Sequence, residues 1–124
     1  MPQPKTPRPA ARFHYRATVT GVYDGDTCTV DIDLGLSVTL HGQKIRLARI
    51  DAPELRGRSQ RRGRAARDFL RAEILGKEIL LQTIKDRKGK YGRYLGELWV
   101  QRGRRRVNVN DLLVNEGHAK HVAY

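Results

Sequence analysis

Hydrophobic positions change period twice along this chain. Phe13 to Tyr23 is rich in aromatic and β-branched residues, and Cys28 to Asp33 alternates apolar and polar positions with period two, as a half-buried strand does. Both stretches read as strands. After a turn at Leu34-Gly35, the residues Leu36, Val38 and Leu40 alternate, Gly42 supplies a bend or bulge, and Ile45, Leu47 and Arg49 continue on one face. Arg46, Ala48 and Ile50 take the other. Glu78 to Lys85 and Tyr94 to Gln101 complete a set of five strands, the former bounded by Asp86-Arg87-Lys88-Gly89 and the latter by Arg102-Gly103.

Between Glu54 and Glu78 the period lengthens to that of a helix: Ala66, Phe69, Leu70 and Ile74 fall on one face, while Arg64, Arg67 and Arg71 fall elsewhere. Gly76 stands where such a helix stops. Asn110 is expected to cap a shorter helix from Asp111 to Glu116, which Gly117 ends. Short strands with a helix set late among them make an α+β chain, mainly β, and suggest a small closed or partly open barrel.

Composition narrows the class without fixing it. A chain of 124 residues suits one domain, which buries roughly two thirds of its unfolded surface. Apolar residues make up 39%, and no run approaches the ~20 consecutive apolar residues of a membrane span, so no membrane partner is expected. Twenty-five Lys and Arg against thirteen Asp and Glu leave a formal charge of +12, which draws polyanions by long-range attraction and counterion release. Cys28 is the sole cysteine, so an intramolecular disulfide is excluded and the residue is read as core packing. Residues 1–12 read as a flexible basic, proline-rich tail with no apolar stretch, hence no signal peptide as it stands. An exported protein that has lost its leader and an intracellular one share these features, so the compartment stays open.

The candidate chemistry lies in two short acidic clusters that frame an arginine. Asp24-Gly25-Asp26-Thr27 precedes one strand, and the run from Arg46 through Asp51-Ala52-Pro53-Glu54 closes the next. Hard divalent cations take carboxylate and carbonyl oxygens, whereas a phosphate needs cationic clamps beside the metal. Asp26 and Asp51 offer the first, Arg46 the second. Lys90-Tyr91-Gly92-Arg93 adds another arginine on a turn, so two guanidinium groups are available to one phosphate. Each piece also has an ordinary reading. Asp-Gly between strands is a common hairpin turn, Pro53 is a usual strand exit, and a part-buried Arg46 calls for a carboxylate whatever its function.

Together these residues resemble the staphylococcal (thermonuclease) nuclease family in order and spacing, from about Thr18 to Ala123 and including the stretch Val109 to Gly117. The resemblance implies a five-stranded OB-fold-like barrel with two or three helices, spanning residues 13–124. It further implies calcium held by Asp26, Asp51 and the carbonyl of Ala52, with Glu54 acting on the attacking water and Arg46 and Arg93 binding the phosphate being cleaved. Lys90 and Tyr91 then become substrate contacts, whereas Asp24, read from the turn alone, is a solvated turn carboxylate. The implied activity is calcium-dependent hydrolysis of DNA and RNA by a monomer, favouring single-stranded regions and leaving 3′-phosphate ends. Two departures stand out: Ala52 occupies a position where the family commonly has threonine, and the chain ends at Tyr124 without the long C-terminal helix of the best-known member.

A competing class is a non-catalytic OB-fold module that binds nucleic acid. A basic structural protein would explain the charge but not the joint occurrence of Asp26, Arg46, Asp51, Glu54 and Arg93. The arginines from Arg56 to Arg71, and Arg104-Arg105-Arg106, read either as a nucleic-acid track or as solvated surface. The four histidines have no zinc-like spacing.

Overall fold

A computed structural model describes residues 14–84 and 88–123; the proposed tail, the end of the fourth predicted strand at Lys85, and Tyr124 lie outside them. The strands are β1 (His14–Asp24), β2 (Thr27–Gly35), β3 (Val38–Leu47), β4 (Ile50–Asp51), β5 (Glu78–Thr83), β6 (Tyr94–Arg102), β7 (Arg105–Asn108) and β8 (Lys120–His121). Two α-helices, α1 (Gln60–Ile74) and α2 (Val109–Asn115), and a 3₁₀ turn at Gly57–Ser59 complete the described chain. None of the described helices is long and apolar enough to cross a membrane.

Antiparallel neighbours run in the order β3-β2-β1-β5-β6-β7, and a parallel pairing of β3 with β6 joins Ile45 to Tyr94, Arg46 to Leu95 and Leu47 to Gly96. That pairing closes β1, β2, β3, β6 and β5 into the five-stranded, OB-fold-like barrel that the resemblance implied. Val19, Val30, Ile45, Leu81 and Leu98 are fully buried inside it. Helix α1 lies against the barrel through Ala66, Leu70 and Ile74, as its period predicts, and α2 adds Val109 and Leu113.

Several local expectations are corrected. The β2–β3 turn is Leu36-Ser37, not Leu34-Gly35: both central residues have positive φ, +56° and +64°, so the hairpin turns by the hand that suits the strand twist. Leu36, Val38 and Leu40 consequently lie on a hairpin that reaches past the core and are exposed at 98%, 51% and 38%. Gly42 does mark a register shift in the β2–β3 ladder, and its amide donates to Asp31 Oδ1. Further on, β3 stops at Leu47. Arg49 turns with φ +67°, so it does not continue the face of Ile45 and Leu47, and Ala48 and Ile50 are buried instead of sharing an outer face with Arg46.

The cap of α2 is Asn108, whose side chain accepts from the Asp111 amide at 2.8 Å. Asn110 is fully buried one position inside the helix. Its Oδ1 accepts from the Leu98 amide, and its Nδ2 donates to the carbonyls of Ala48 at 2.9 Å and Gly96 at 3.1 Å. With every polar atom bonded, it ties α2 to the barrel seam and to the turn after β3. The Arg104-Arg105-Arg106 run enters β7, whose exposed arginines cover the outer edge of the sheet.

Candidate active site

At the β1–β2 turn the Asp26 amide donates to Asp24 Oδ1 at 3.0 Å, which fixes the turn and directs the Asp26 side chain inward. Gly25 is required by packing: a Cβ there would stand 2.7 Å from the side chains of both Ala52 and Ala66. Asp26 is 7% exposed; its Oδ1 accepts from Thr27 Oγ1 at 3.2 Å and its Oδ2 from the Ala52 amide at 2.9 Å. Burial raises its pKa above the usual aspartate value and Asp24 adds to that, while the Ala52 amide and Arg46 oppose it.

Arg46 projects from the outer face of β3, because Ile45 and Leu47 take the interior. Its Nη1 donates to the carbonyls of Leu47 at 2.7 Å and Ile50 at 3.0 Å. Its Nη2 lies 3.4 Å from Asp26 Oδ2 and 3.3 Å from Asp51 Oδ1. One guanidinium thus gathers two acidic residues that are 25 positions apart in sequence. The expected salt bridge is present, and it falls where the functional reading needs an arginine.

Asp51 is anchored in two ways. On β4 it pairs with Lys120 of β8, and the preceding turn is held by Arg49, whose carbonyl accepts from the Val122 amide. Arg49 Nε and Nη2 donate to Glu97 Oε2 and Oε1 at 2.6 and 2.8 Å, and Nη2 also reaches Asp111 Oδ1 at 3.0 Å. Glu97 beside it keeps the guanidinium more firmly protonated than usual.

Glu54 is exposed between part-buried neighbours, and its carboxylate bonds to no other described residue. Its backbone is fixed: the carbonyl accepts from Ser59 Oγ at 3.0 Å, and Gly63 of α1 packs so closely that a Cβ there would lie 2.2 Å from that oxygen. Asp51, Ala52 and Glu54 line one cavity of about 420 Å³ together with Arg62, His118 and Lys120.

Arg93 lies elsewhere. It stands two residues before Leu95, the β6 partner of Arg46, and lines a second cavity of about 380 Å³ with Asp24, Thr27, Lys44, Tyr23 and Tyr91. Its guanidinium sits 5.3 Å from the Tyr91 ring, and Lys90 Nζ sits 5.4 Å from the same ring, so Tyr91, 70% exposed, is flanked by two cations. The structure therefore gathers Asp26, Arg46, Asp51 and Ala52, brings Glu54 to the edge of the same cluster, and sets Arg93 and Tyr91 in the adjoining cavity, with Lys90 against the Tyr91 ring. Among the described residues no group of three or more His, Cys, Asp or Glu is arranged to hold a metal. The arginine trio of α1 is divided as well: Arg67 pairs with Asp68, Arg71 donates to the Val22 carbonyl at 3.2 Å, and Arg64 is exposed.

Sequence reading overlooked Lys44, which period two places on the same face as Arg46. It also gave no part in this region to Arg62 and Lys120, and it gave Arg49 and Asn110 other parts than the ones they take, because their places depend on chain closure. A further cavity, about 690 Å³, includes Arg16, Glu78 and Trp99 and lies toward the other end of the barrel strands.

Residues 44–124 match the staphylococcal nuclease homologue family. An uncharacterised protein of Methanocaldococcus jannaschii is 27% identical over 128 residues, which cover 86% of this chain and 59% of that protein. Endonuclease YhcR of Bacillus subtilis is 32% identical over 120 residues, covering 90% and 9%, and ParB of Escherichia coli is 35% identical over 109 residues, covering 84% and 55%. The chain thus spans less than two thirds of each of these relatives. A match over residues 44–124 takes in Arg46, Asp51, Glu54 and Arg93 as well as the β3–β6 seam of the barrel, and on it this chain belongs to the staphylococcal nuclease family.

Proposed function

We propose that this chain is a calcium-dependent nuclease that hydrolyses phosphodiester bonds of DNA and RNA, favours single-stranded regions and acts as a monomer. The observation that carries the reading is the convergence of Asp26 and Asp51 on Arg46, with Glu54 on the cavity that begins at Asp51. Family membership supports it, as does the similarity to a protein named an endonuclease.

The donor set suits a hard cation, since two carboxylates and the Ala52 carbonyl are all oxygen ligands and Asp51 is 43% exposed beside open space. Calcium on Asp26, Asp51 and the Ala52 carbonyl would supply Lewis-acid charge to the phosphate. Glu54, bonded to no other described residue and lining the cavity, takes a proton from the attacking water or orients it. Arg46, held by two backbone carbonyls, and Arg93, held by its turn, stabilise charge building on the phosphoryl oxygens. The new P–O bond forms as the bond to the 5′ oxygen breaks; that oxygen leaves as the alcohol after protonation by solvent, and the phosphate stays on the 3′ end. Tyr91 and Lys90 offer a stacking face and a phosphate contact.

One observation favours the alternative, a non-catalytic nucleic-acid-binding module: both terminal nitrogens of Arg46 are already bonded to protein groups, as in a purely structural staple. Single-turnover cleavage of a single-stranded oligonucleotide, with calcium and then with chelator, separates the two readings. Glu54→Gln should slow cleavage by roughly 10²- to 10⁴-fold while leaving oligonucleotide binding largely intact. Equal cleavage by wild type and variant removes Glu54 from the chemistry, and no cleavage by wild type leaves the binding module.

A further inference from the structure

The Asp26–Arg46–Asp51 cluster is bordered by two cavities that share no lining residue. One abuts it from the Thr27 side and carries Arg93 and Tyr91, both already given roles in the proposed reaction. The other abuts it from the Asp51 side and continues past Glu54 between α1 and β8. Its volume, about 420 Å³, falls within the range of sites that hold a small ligand. The inner end is acidic, with Asp51 and Glu54, and small residues such as Ala52 and Gly117 keep the space open. Toward the walls the sign reverses. Arg62 stands in the first turn of α1, where no acidic residue accompanies it, and Lys120 stands opposite Asp51 in the β4–β8 ladder. Both are exposed, and neither forms an ion pair among the described residues. His118, between them, has its ring packed on Phe69 at 4.7 Å.

Two cations that form no ion pair among the described residues, one on α1 and one on β8, line a groove that opens from the proposed reaction centre and match a further backbone phosphate of the same strand. Resting on the nuclease reading above, we propose that this groove is a second phosphate subsite, in which Arg62 and Lys120 hold the polynucleotide on the far side of the cleaved bond from Tyr91. The substrate it selects is a strand continuing in both directions, cut internally. A single nucleotide esterified through its phosphate to a small phenol has nothing to place there.

The test compares wild type with Arg62→Ala/Lys120→Ala and, as a control removing equal charge elsewhere, Arg104→Ala/Arg105→Ala. Two substrates are used, a long single-stranded oligonucleotide and a nucleoside p-nitrophenyl phosphodiester, with calcium present. In the groove variant the ratio of kcat/KM for the long substrate to that for the short one should fall by about tenfold or more, and in the control it should hold. The slope of log binding constant against log salt for the long oligonucleotide, measured in chelator, should shrink by roughly 0.7 for each phosphate that the variant no longer neutralises. An unchanged ratio and slope, or equal changes in the control, return Arg62 and Lys120 to solvated surface. If wild type cleaves neither substrate the nuclease reading fails, yet the salt slope needs no turnover and still decides whether the groove binds phosphate.

Discussion

Replacing Arg49 by alanine should destabilise the fold by about 2–3 kcal/mol, a large share of the roughly 5–15 kcal/mol available to a domain of this kind. The figure is built from its three bonds. The contact with Asp111 lies between side chains 43% and 47% exposed, and a pair so open to water contributes about 0–1 kcal/mol. Glu97 is different, with its side chain only 8% exposed. Stranding a buried carboxylate costs about 3–5 kcal/mol, but here Asn108 still donates to Oε1 at 3.1 Å and water gains entry where the guanidinium stood, so about 2 kcal/mol is expected. Backbone strain supplies an internal control. At φ +67° alanine keeps the left-handed penalty that arginine bears, whereas glycine escapes roughly 1–2 kcal/mol of it. Arg49→Gly should therefore be the milder change by about 1 kcal/mol despite removing the same side chain. Urea unfolding of both variants, with Glu97→Gln and Arg49→Ala/Glu97→Gln completing a double-mutant cycle, measures each term. A loss under about 0.5 kcal/mol for Arg49→Ala, or alanine tolerated better than glycine, would refute this account of the turn that delivers Asp51.

Asp26→Ala should abolish calcium-stimulated cleavage while circular dichroism reports an intact fold; full calcium-dependent activity in a folded variant would disprove its assignment as a ligand. Arg64→Ala should lower the salt slope of polynucleotide binding by up to roughly 0.7 without moving the urea midpoint, and an unchanged slope makes that face ordinary surface. Arg71→Ala should instead cost about 0.5–1.5 kcal/mol of stability by freeing the Val22 carbonyl, read from the same urea curves. Cys28, fully buried and with its thiol pushed up to about 12 by burial, should react with a thiol reagent only as fast as the fold opens, so fast modification of the native protein would contradict its place in the core.

What the sequence revealed of the fold follows the range over which each signal acts. The face of α1 was legible because Ala66, Leu70 and Ile74 repeat within one element and their burial needs only a partner of any kind. The β2–β3 hairpin misled because alternation states which residues share a face, not whether that face meets a core, and Leu36, Val38 and Leu40 meet water. Leu36-Ser37 was hidden as a turn since leucine is a poor residue for positive φ, while the neighbouring glycine offered a better local signal. Asn108 and Asn110 show the same limit: either suits a helix start by residue type, and the choice was made by the barrel seam, which needs a buried amide to satisfy Ala48, Gly96 and Leu98 together.

The candidate site divides along the same line. Asp26, Arg46 and Asp51 were readable because each stands in a short motif, and the structure draws them together through bonds that span 20 and 5 positions. Arg62 and Lys120 come from separate elements and meet across a groove only once β8 has returned to pair with β4, so no local pattern announces them. Arg46 stands between these cases and explains why the ordinary and the functional readings of its motif arrive at one place. A guanidinium on the outer face of a barrel strand is preorganised only if something holds it, and the Leu47 and Ile50 carbonyls do so from one nitrogen. The other nitrogen faces the two aspartates, the groups whose charge a bound cation would draw on. The contact that makes Arg46 look structural is therefore the contact that a metal and a phosphate would rearrange, and the strength of that staple sets how much binding energy the rearrangement needs.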